Sequence, residues 1–359
     1  MTLSRRNLLT ASAAGAASLA SPAVVQAQET RNWRMVTSWP KNLPGPGVTA
    51  ERLAQRITAA SGGALNVTVY AAGEIVPPLE VFDAVQSGTA QMAHTASFFW
   101  QGRLPASVFY TAIPFGLTAP EHAAWILHGG GQDLWDELYA PSGIKPFMGG
   151  NTGMQMGGWF RKEINGLDDF KGLKMRMPGL GGAILAKLGG ASVSLPPGDI
   201  YGALQSGLVD AAEFLGPWSD FAQGFYRVAP YYYAPGWHEP NGTGECLVSL
   251  QAYEALPDDL KAIVSDSCAA ENALSVAESD WENAQALRTL VDEYDVKLRT
   301  FPEDVITAAR EASVTVLDEA AAKDEMFAKI LKSYRAAKTR LTPWTKAGTE
   351  TFLAARGDA

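Results

Sequence analysis

Cysteine and histidine are scarce in this 359-residue chain, which holds two cysteines, Cys246 and Cys268, and four histidines. That scarcity excludes a disulfide scaffold and a cysteine-rich zinc site. No two histidines stand at metal-ligand spacing; His122 and His128 are six apart and do not share a helix face. Basic residues are outnumbered, 29 Lys and Arg against 38 Asp and Glu, for a formal net charge of −9, which argues against a nucleic-acid partner. Past the N-terminus no apolar run reaches the roughly 20 residues needed to cross a membrane. No Gly-x-Ser-x-Gly nucleophile elbow accompanies His128-Gly-Gly-Gly131, so that stretch reads as a helix stopped by glycines. A phosphate loop is missing too. Gly179-Leu-Gly-Gly182 lacks the last glycine of the dinucleotide fingerprint and reads as a helix start, where an anion can still be received.

What is present is enough apolar material for large cores: 47% hydrophobic and 10% aromatic residues with 19% charged, over a length of one or two domains. The first 27 residues are a separate matter. Ser4-Arg-Arg-Asn-Leu-Leu9 precedes an Ala/Ser-rich apolar run, and Val25-Gln-Ala27 has the small-x-small form of a cleavage site. This is an export signal of twin-arginine type, too short to anchor the chain. Its removal takes Arg5 and Arg6 and no acid, so 27 basic against 38 acidic residues leave a charge of −11. The two cysteines then face an oxidising compartment, but nothing in the sequence brings them together, and two buried thiols are expected.

The mature chain opens strand–helix–strand: Trp33–Ser38, a helix over 49–60 capped by Thr49, and Leu65–Tyr70. An internal repeat follows. Glu80-Val-Phe-Asp-Ala-Val-Gln-Ser-Gly88 reappears as Asp199-Ile-Tyr-Gly-Ala-Leu-Gln-Ser-Gly207, an offset of 119, each copy after a Pro-Pro pair. Two similar α/β lobes are expected. The short strands after each repeat helix end in His94-Thr95 and Glu213-Phe214, again 119 apart. Ligands of open α/β sheets bind at such carboxyl ends, so a cleft between the lobes is the expected site. The chain crosses between lobes near 146–153 and returns between 217 and 244. A helical pattern from Pro257 to about Leu298 could brace both lobes, or break near Asp280; amphipathic helix follows from Pro302 to Arg340.

Gln155, Glu213 and Glu239 lie among glycines and aromatics and carry oxygen ligands suited to a hard cation, although each taken alone reads first as an ordinary hydrogen-bonding residue. Arg176 ends a strand and offers either a fork to a carboxylate or a plain ion pair. Aromatics gather at 98–100, 159–160, 214–218 and 231–237, as core or as an apolar pocket wall.

Gly149-Gly-Asn-Thr-Gly-Met-Gln-Met-Gly-Gly-Trp-Phe-Arg161, Gly172-Leu-Lys-Met-Arg176, Gly198-Asp-Ile-Tyr201, Asp210-Ala-Ala-Glu213 and Tyr231-Tyr-Tyr-Ala-Pro-Gly-Trp-His-Glu239 together resemble the periplasmic solute receptors of tripartite ATP-independent periplasmic (TRAP) transporters. Within them the resemblance is to the branch that binds 2-oxo monocarboxylates such as pyruvate, or 2-hydroxy acids such as lactate. It implies an α/β, two-lobed periplasmic binding protein fold of type II-like form, with hinge strands, a long bracing helix and a C-terminal helical extension. The implied divisions are a signal at 1–27, lobe I at 28–150, lobe II at 151–240, a return to lobe I with the bracing helix at 241–300, and a C-terminal region at 301–359. The resemblance assigns Arg176 to the substrate carboxylate. It assigns a bridging sodium ion, with calcium as the alternative, to Gln155, Glu213, the carbonyl of Phe214 and Glu239. Gln155 and Phe214 would also meet the substrate, with Asn151, Trp100, Phe99 and Tyr201 as pocket neighbours. Phe214 replaces the Asn found in many dicarboxylate and sialic-acid receptors, which favours a smaller ligand. The implied partners are the small and large TRAP membrane subunits and a second copy joined through the C-terminal helix. Two rivals remain at this point: an ABC-type receptor of the same shape, and an exported hydrolase using Glu213 and Glu239.

Overall fold

The computed structural model describes residues 30–357, so the export signal lies outside the described residues. Eleven strands are described: β1 (Arg31–Thr37), β2 (Leu65–Tyr70), β3 (Met92–Thr95), β4 (Ile144–Asn151), β5 (Gly158–Phe160), β6 (Lys174–Arg176), β7 (Ala191–Val193), β8 (Ala211–Ala212), β9 (Tyr231–Ala234), β10 (Thr243–Ser249) and β11 (Lys297–Thr300). Helices alternate with them: α1 (Pro46–Ala60), α2 (Val81–Gln86), α3 (Ala119–His128), α4 (Gly131–Tyr139), α5 (Gly179–Lys187), α6 (Ile200–Ser206), α7 (Pro217–Gln223), α8 (Leu250–Glu254), α9 (Asp258–Asp292), α10 (Glu303–Ala321), α11 (Glu325–Thr345) and α12 (Thr351–Arg356). Among the described residues no helix is long and apolar enough to cross a membrane.

The strands form two mixed sheets, ordered β2-β1-β3-β10-β4 and β11-β9-β5-β8-β6-β7. In the first, β1 to β3 run parallel, as strand–helix–strand connections require, and β10 enters antiparallel between β3 and β4. In the second, β6 is parallel to both β7 and β8. The repeat is visible in the hydrogen bonds. Glu80 N donates to Pro77 O at 3.0 Å and Asp199 N to Pro196 O at 3.1 Å; Ala90 N donates to Ala84 O at 3.0 Å and Val209 N to Ala203 O at 3.3 Å. Each repeat helix turns at a glycine with φ 75°, Gly88 and Gly207, a conformation costly for residues with a Cβ.

Two local expectations are corrected. Helix α1 begins at Pro46, after Gly45 at φ 81°, so Thr49 is not its cap but a buried residue of its first turn. A proline at the first helical position is already in helical φ and starts the helix earlier. The long helix α9 is unbroken through Asp280, having no Gly or Pro between 258 and 292, but stops at Asp292 rather than near Leu298. Asp295 takes a left-handed φ of 54°, and Lys297–Thr300 joins the second sheet beside β9.

At about 1.5 Å per residue, the 35 residues of α9 extend roughly 50 Å. The helix is tied to both sheets. Arg52 of α1 reaches Glu271 at 2.6 Å and Glu278 at 2.8 Å; Ser275 Oγ accepts from Asn151 N at the end of β4; Asn283 Oδ1 accepts from Trp218 N of α7. The C-terminal helices divide between the halves: α10 buries Val305, Ala309 and Val316 against Phe170, Ile184 and Leu185 on the second sheet's side, and α11 packs on the first. Tyr334 of α11 accepts from Leu117 N at 2.7 Å, and Ser313 of α10 donates to Pro114 O.

Cys246 on β10 and Cys268 on α9 are both buried free thiols. The Cys246 sulfur and burial push the Cys268 thiol up, away from reactive thiolate. An aromatic disulfide reagent is expected to titrate no thiol in the native protein and both in denaturant; a denatured count of zero would show a disulfide instead.

Candidate binding site

A cavity lies between the two sheets, lined from both. Its floor is set by strand ends. Arg176 is the last residue of β6, and Glu213 follows β8, the parallel neighbour of β6. Glu213 N donates to Arg176 O at 3.1 Å, so the two side chains leave adjacent backbone positions. Arg176 Nη1 donates to Glu213 Oε1 at 2.5 Å and to Glu213 O at 2.7 Å; Nε donates to Leu195 O at 3.3 Å. Arg176 is 2% exposed and Glu213 0%. The guanidinium carbon also lies 5.7 Å from the Phe214 ring centroid, and Phe214 and Leu215 line the cavity.

The loop holding Phe214 is fixed from behind by Asp220 of α7. That carboxylate accepts from Leu215 N at 3.2 Å, Trp159 Nε1 at 2.9 Å and the Tyr232 hydroxyl at 2.8 Å. Burial lifts the Asp220 carboxyl to about 7.

Gln155 and Glu239 come from the β4–β5 and β9–β10 connections, two of the chain segments that pass between the sheets. Gly236 N donates to Gln155 O at 3.0 Å and Gln155 N to Glu239 O at 3.3 Å, which zips the segments together. Gln155 Nε2 donates to Thr152 Oγ1, while its Oε1 is buried without a hydrogen-bond partner among the described residues. Burial first, then the charge of Glu213, holds the Glu239 carboxyl well above the usual carboxylate range. His238 Nε2 lies 3.1 Å from Glu213 Oε2. One ligand atom each from Glu213, His238 and Glu239 fall within 4.8 Å of one another, all buried. Two buried carboxyl groups beside an orphaned amide oxygen form a donor set that fits a hard, oxygen-preferring cation.

The opposite wall comes from the first sheet. His94 at the end of β3 accepts from Trp39 Nε1 at its Nδ1 (2.8 Å), so its proton sits on Nε2, which donates to Gly149 O at 3.1 Å. Burial pushes His94 down to about 4, and the ring is neutral. Asn151, at the end of β4, spends its amide on Asn241 and Thr243 and its carbonyl on Gly153 N, so it shapes the cavity through the backbone it holds. Trp39, Phe98 and Phe99 complete an apolar face.

Of the residues singled out from sequence, Arg176, Gln155, Glu239, Phe214, Asn151 and Phe99 line this cavity, and Glu213 sits directly behind Arg176. Trp100 and Tyr201 do not line it. Trp100 turns away to donate to Glu245 Oε1 at 2.5 Å, where with Tyr139 it satisfies an acid that burial lifts to about 8. Tyr201 stands in the first turn of α6 with its ring beside Gly224. Sequence reasoning missed His238, Trp39 and Leu215. His238 adjoins Glu239 in the Trp-His-Glu run, and an imidazole next to a carboxylate was the one available signal.

A model of the bacterial extracellular solute-binding proteins, family 7, matches residues 35–324. A monocarboxylate 2-oxoacid-binding periplasmic protein of Nostoc is 40% identical over 314 residues, 88% of this chain and 86% of that protein. A TRAP periplasmic solute-binding protein of Pseudoalteromonas atlantica, solved with sodium and pyruvate, superposes with a TM-score of 0.88 at 42% identity, covering 91% of this chain and 99% of that one. A TRAP solute-binding protein of Bordetella bronchiseptica, a mixed-occupancy dimer with calcium and picolinate, superposes at 0.89 and 38% identity, covering 91% and 97%. These are binding proteins, not enzymes, which sets aside a hydrolase built on Glu213 and Glu239. The chain belongs to the bacterial extracellular solute-binding proteins of family 7, the periplasmic solute receptors of TRAP transporters.

Proposed function

We propose that this chain binds a small 2-oxo or 2-hydroxy monocarboxylate through Arg176 and a cation, and delivers it to the TRAP membrane subunits. The observation that carries the reading is the buried meeting of Arg176 with Glu213, Glu239 and the orphaned Gln155 Oε1 on one cavity wall. The cation, sodium or calcium, is held by Gln155, Glu213, the Phe214 carbonyl and Glu239. When bound it supplies positive charge where two acids would otherwise repel an anion. Arg176 takes the ligand carboxylate with a planar fork, and Phe98, Phe99 and Phe214 exclude water from the tail. The relatives solved with pyruvate and with picolinate, each beside a cation, support this choice of ligand. Residues 28–150 and 151–240 form the two lobes, joined at 151–157 and 235–243, and the cleaved twin-arginine signal at 1–27 delivers the chain to the periplasm.

A homodimer through the C-terminal helix is part of the same reading. Trp344, Phe352 and Leu353 are 74%, 62% and 47% exposed on α11 and α12, a large apolar surface for a soluble helix.

Wild-type protein with pyruvate at 100 times its dissociation constant should gain about 2.7 kcal/mol in a thermal-shift measurement. Arg176→Lys keeps the charge without the fork, and is expected to lose about 2 kcal/mol or more of binding in calorimetry; unchanged affinity would remove Arg176 from the site. Gly242→Ala tests the cation. A Cβ there would lie 2.3 Å from Gln155 Nε2 and Thr152 Oγ1, displacing the amide. Calcium affinity should fall about tenfold or more, with about 1–3 kcal/mol of fold stability lost to overpacking. Phe352→Glu with Leu353→Glu should turn a dimer into a monomer in light scattering and leave pyruvate affinity unchanged.

A further inference from the structure

On the receptor reading, the order of binding at this site turns on Glu213. Glu213 is claimed twice. It is a ligand for the cation, and it is also the partner that holds Arg176, through Oε1 at 2.5 Å and its own carbonyl at 2.7 Å. Its second oxygen, Oε2, is engaged by His238 Nε2 at 3.1 Å. Both carboxylate oxygens are therefore in use. Gln155 Oε1 beside them is buried without a hydrogen-bond partner among the described residues. Arg176 in turn keeps only Nη2 without a hydrogen-bond partner among the described residues, so it has no complete fork to offer.

An anion arriving at this arrangement meets an arginine whose charge Glu213 already offsets. It would enter a buried site, next to Glu239, without a counter-charge, and an unpaired buried charge is strongly unfavourable. Once Glu213 is turned to a cation, the sum changes sign. One N–H of Nη1 is released while the other stays on the Glu213 carbonyl, the arginine offers that N–H together with Nη2, and the incoming carboxylate replaces the Glu213 side chain as its partner. His238 holds the far oxygen of Glu213 and keeps the carboxylate from leaving the floor of the site during the exchange.

We propose that the Arg176–Glu213 pair is a latch that imposes compulsory order: cation first, carboxylate second. Glu213 closes the site to anions until a cation draws it away from Arg176. Ligand and cation affinities are then coupled, and the coupling is reciprocal. His238 acts here as a positioning residue.

Isothermal titration calorimetry on the mature chain tests this, with pyruvate as the probe, in sodium-free buffer with free calcium set by a chelator. Calcium alone should give heat, and pyruvate alone should give none. Below the calcium dissociation constant, each tenfold drop in free calcium should weaken apparent pyruvate affinity about tenfold, without a plateau over about two decades. Glu213→Gln is the decisive variant. By freeing Arg176 it should bind pyruvate without calcium at least about tenfold more tightly than calcium-free wild type, and its affinity should no longer respond to calcium. If Glu213 were only a cation ligand, the variant would match or fall below calcium-free wild type, and that result overturns the latch. So does a wild-type pyruvate affinity that does not depend on calcium. Should Glu213→Gln fail to fold by circular dichroism, the wild-type calcium series decides alone. Pyruvate and longer 2-oxo acids that give no heat at any calcium concentration overturn the receptor reading, and the latch with it.

Discussion

A desolvated ion pair joins the ends of two parallel strands, and the site is built around it. Arg176 and Glu213 are almost without solvent contact, so either charge alone would be unfavourable by several kcal/mol. The pair is tolerated because Arg176 also donates to two carbonyls and Glu213 also receives His238. That network fixes where positive charge stands in the cavity. It also keeps an acid at the floor of the site, within reach of Glu239 and Gln155. Asp220 extends the same logic outward: three donors converge on it and immobilise the segment that carries Phe214.

The remaining architecture brings the second wall to this floor and holds it there. The chain passes between the sheets at 151–157 and at 235–243, and those segments are hydrogen-bonded to each other through Gln155, Gly236 and Glu239. The crossings therefore carry site residues as well as connecting the halves. Helix α9 spans both halves, tied to α1 through Arg52 and to α7 through Asn283. On the first sheet's side the polar groups pair among themselves. His94 is neutral between Trp39 and Gly149, and Asn151 is occupied by Asn241 and Thr243. Charge is concentrated on one wall and shape on the other.

Much of this is legible in the sequence. The 119-residue repeat yielded two α/β halves with equivalent turns, because the same local sequence makes the same hydrogen bonds in both. Arg176, Gln155, Glu213 and Glu239 were picked out by residue type, strand-end placement and resemblance. Trp100 and Tyr201 were not separable from true lining residues, since an aromatic next to a strand end can face either way. Trp100 was claimed by Glu245, which lies 145 residues away and shows no local sign of need. Thr49 lost its capping place to Pro46, and α9 ended early because a strand partner, β9, waited for Lys297–Thr300.

The sequence by itself determined the alternation of strands and helices, the acidic mature charge and the set of groups able to meet a carboxylate and a cation. Those follow from local pattern and from the chemistry of side chains. Only the tertiary structure decided which charges meet. Arg176 and Glu213 are 37 residues apart, and Glu213 and His238 are 25 apart. Their pairing exists because β6 and β8 are parallel neighbours and the 235–243 crossing folds back over them. Burial then turns ordinary ionisable groups into a site, by making each depend on the partner that the fold puts beside it.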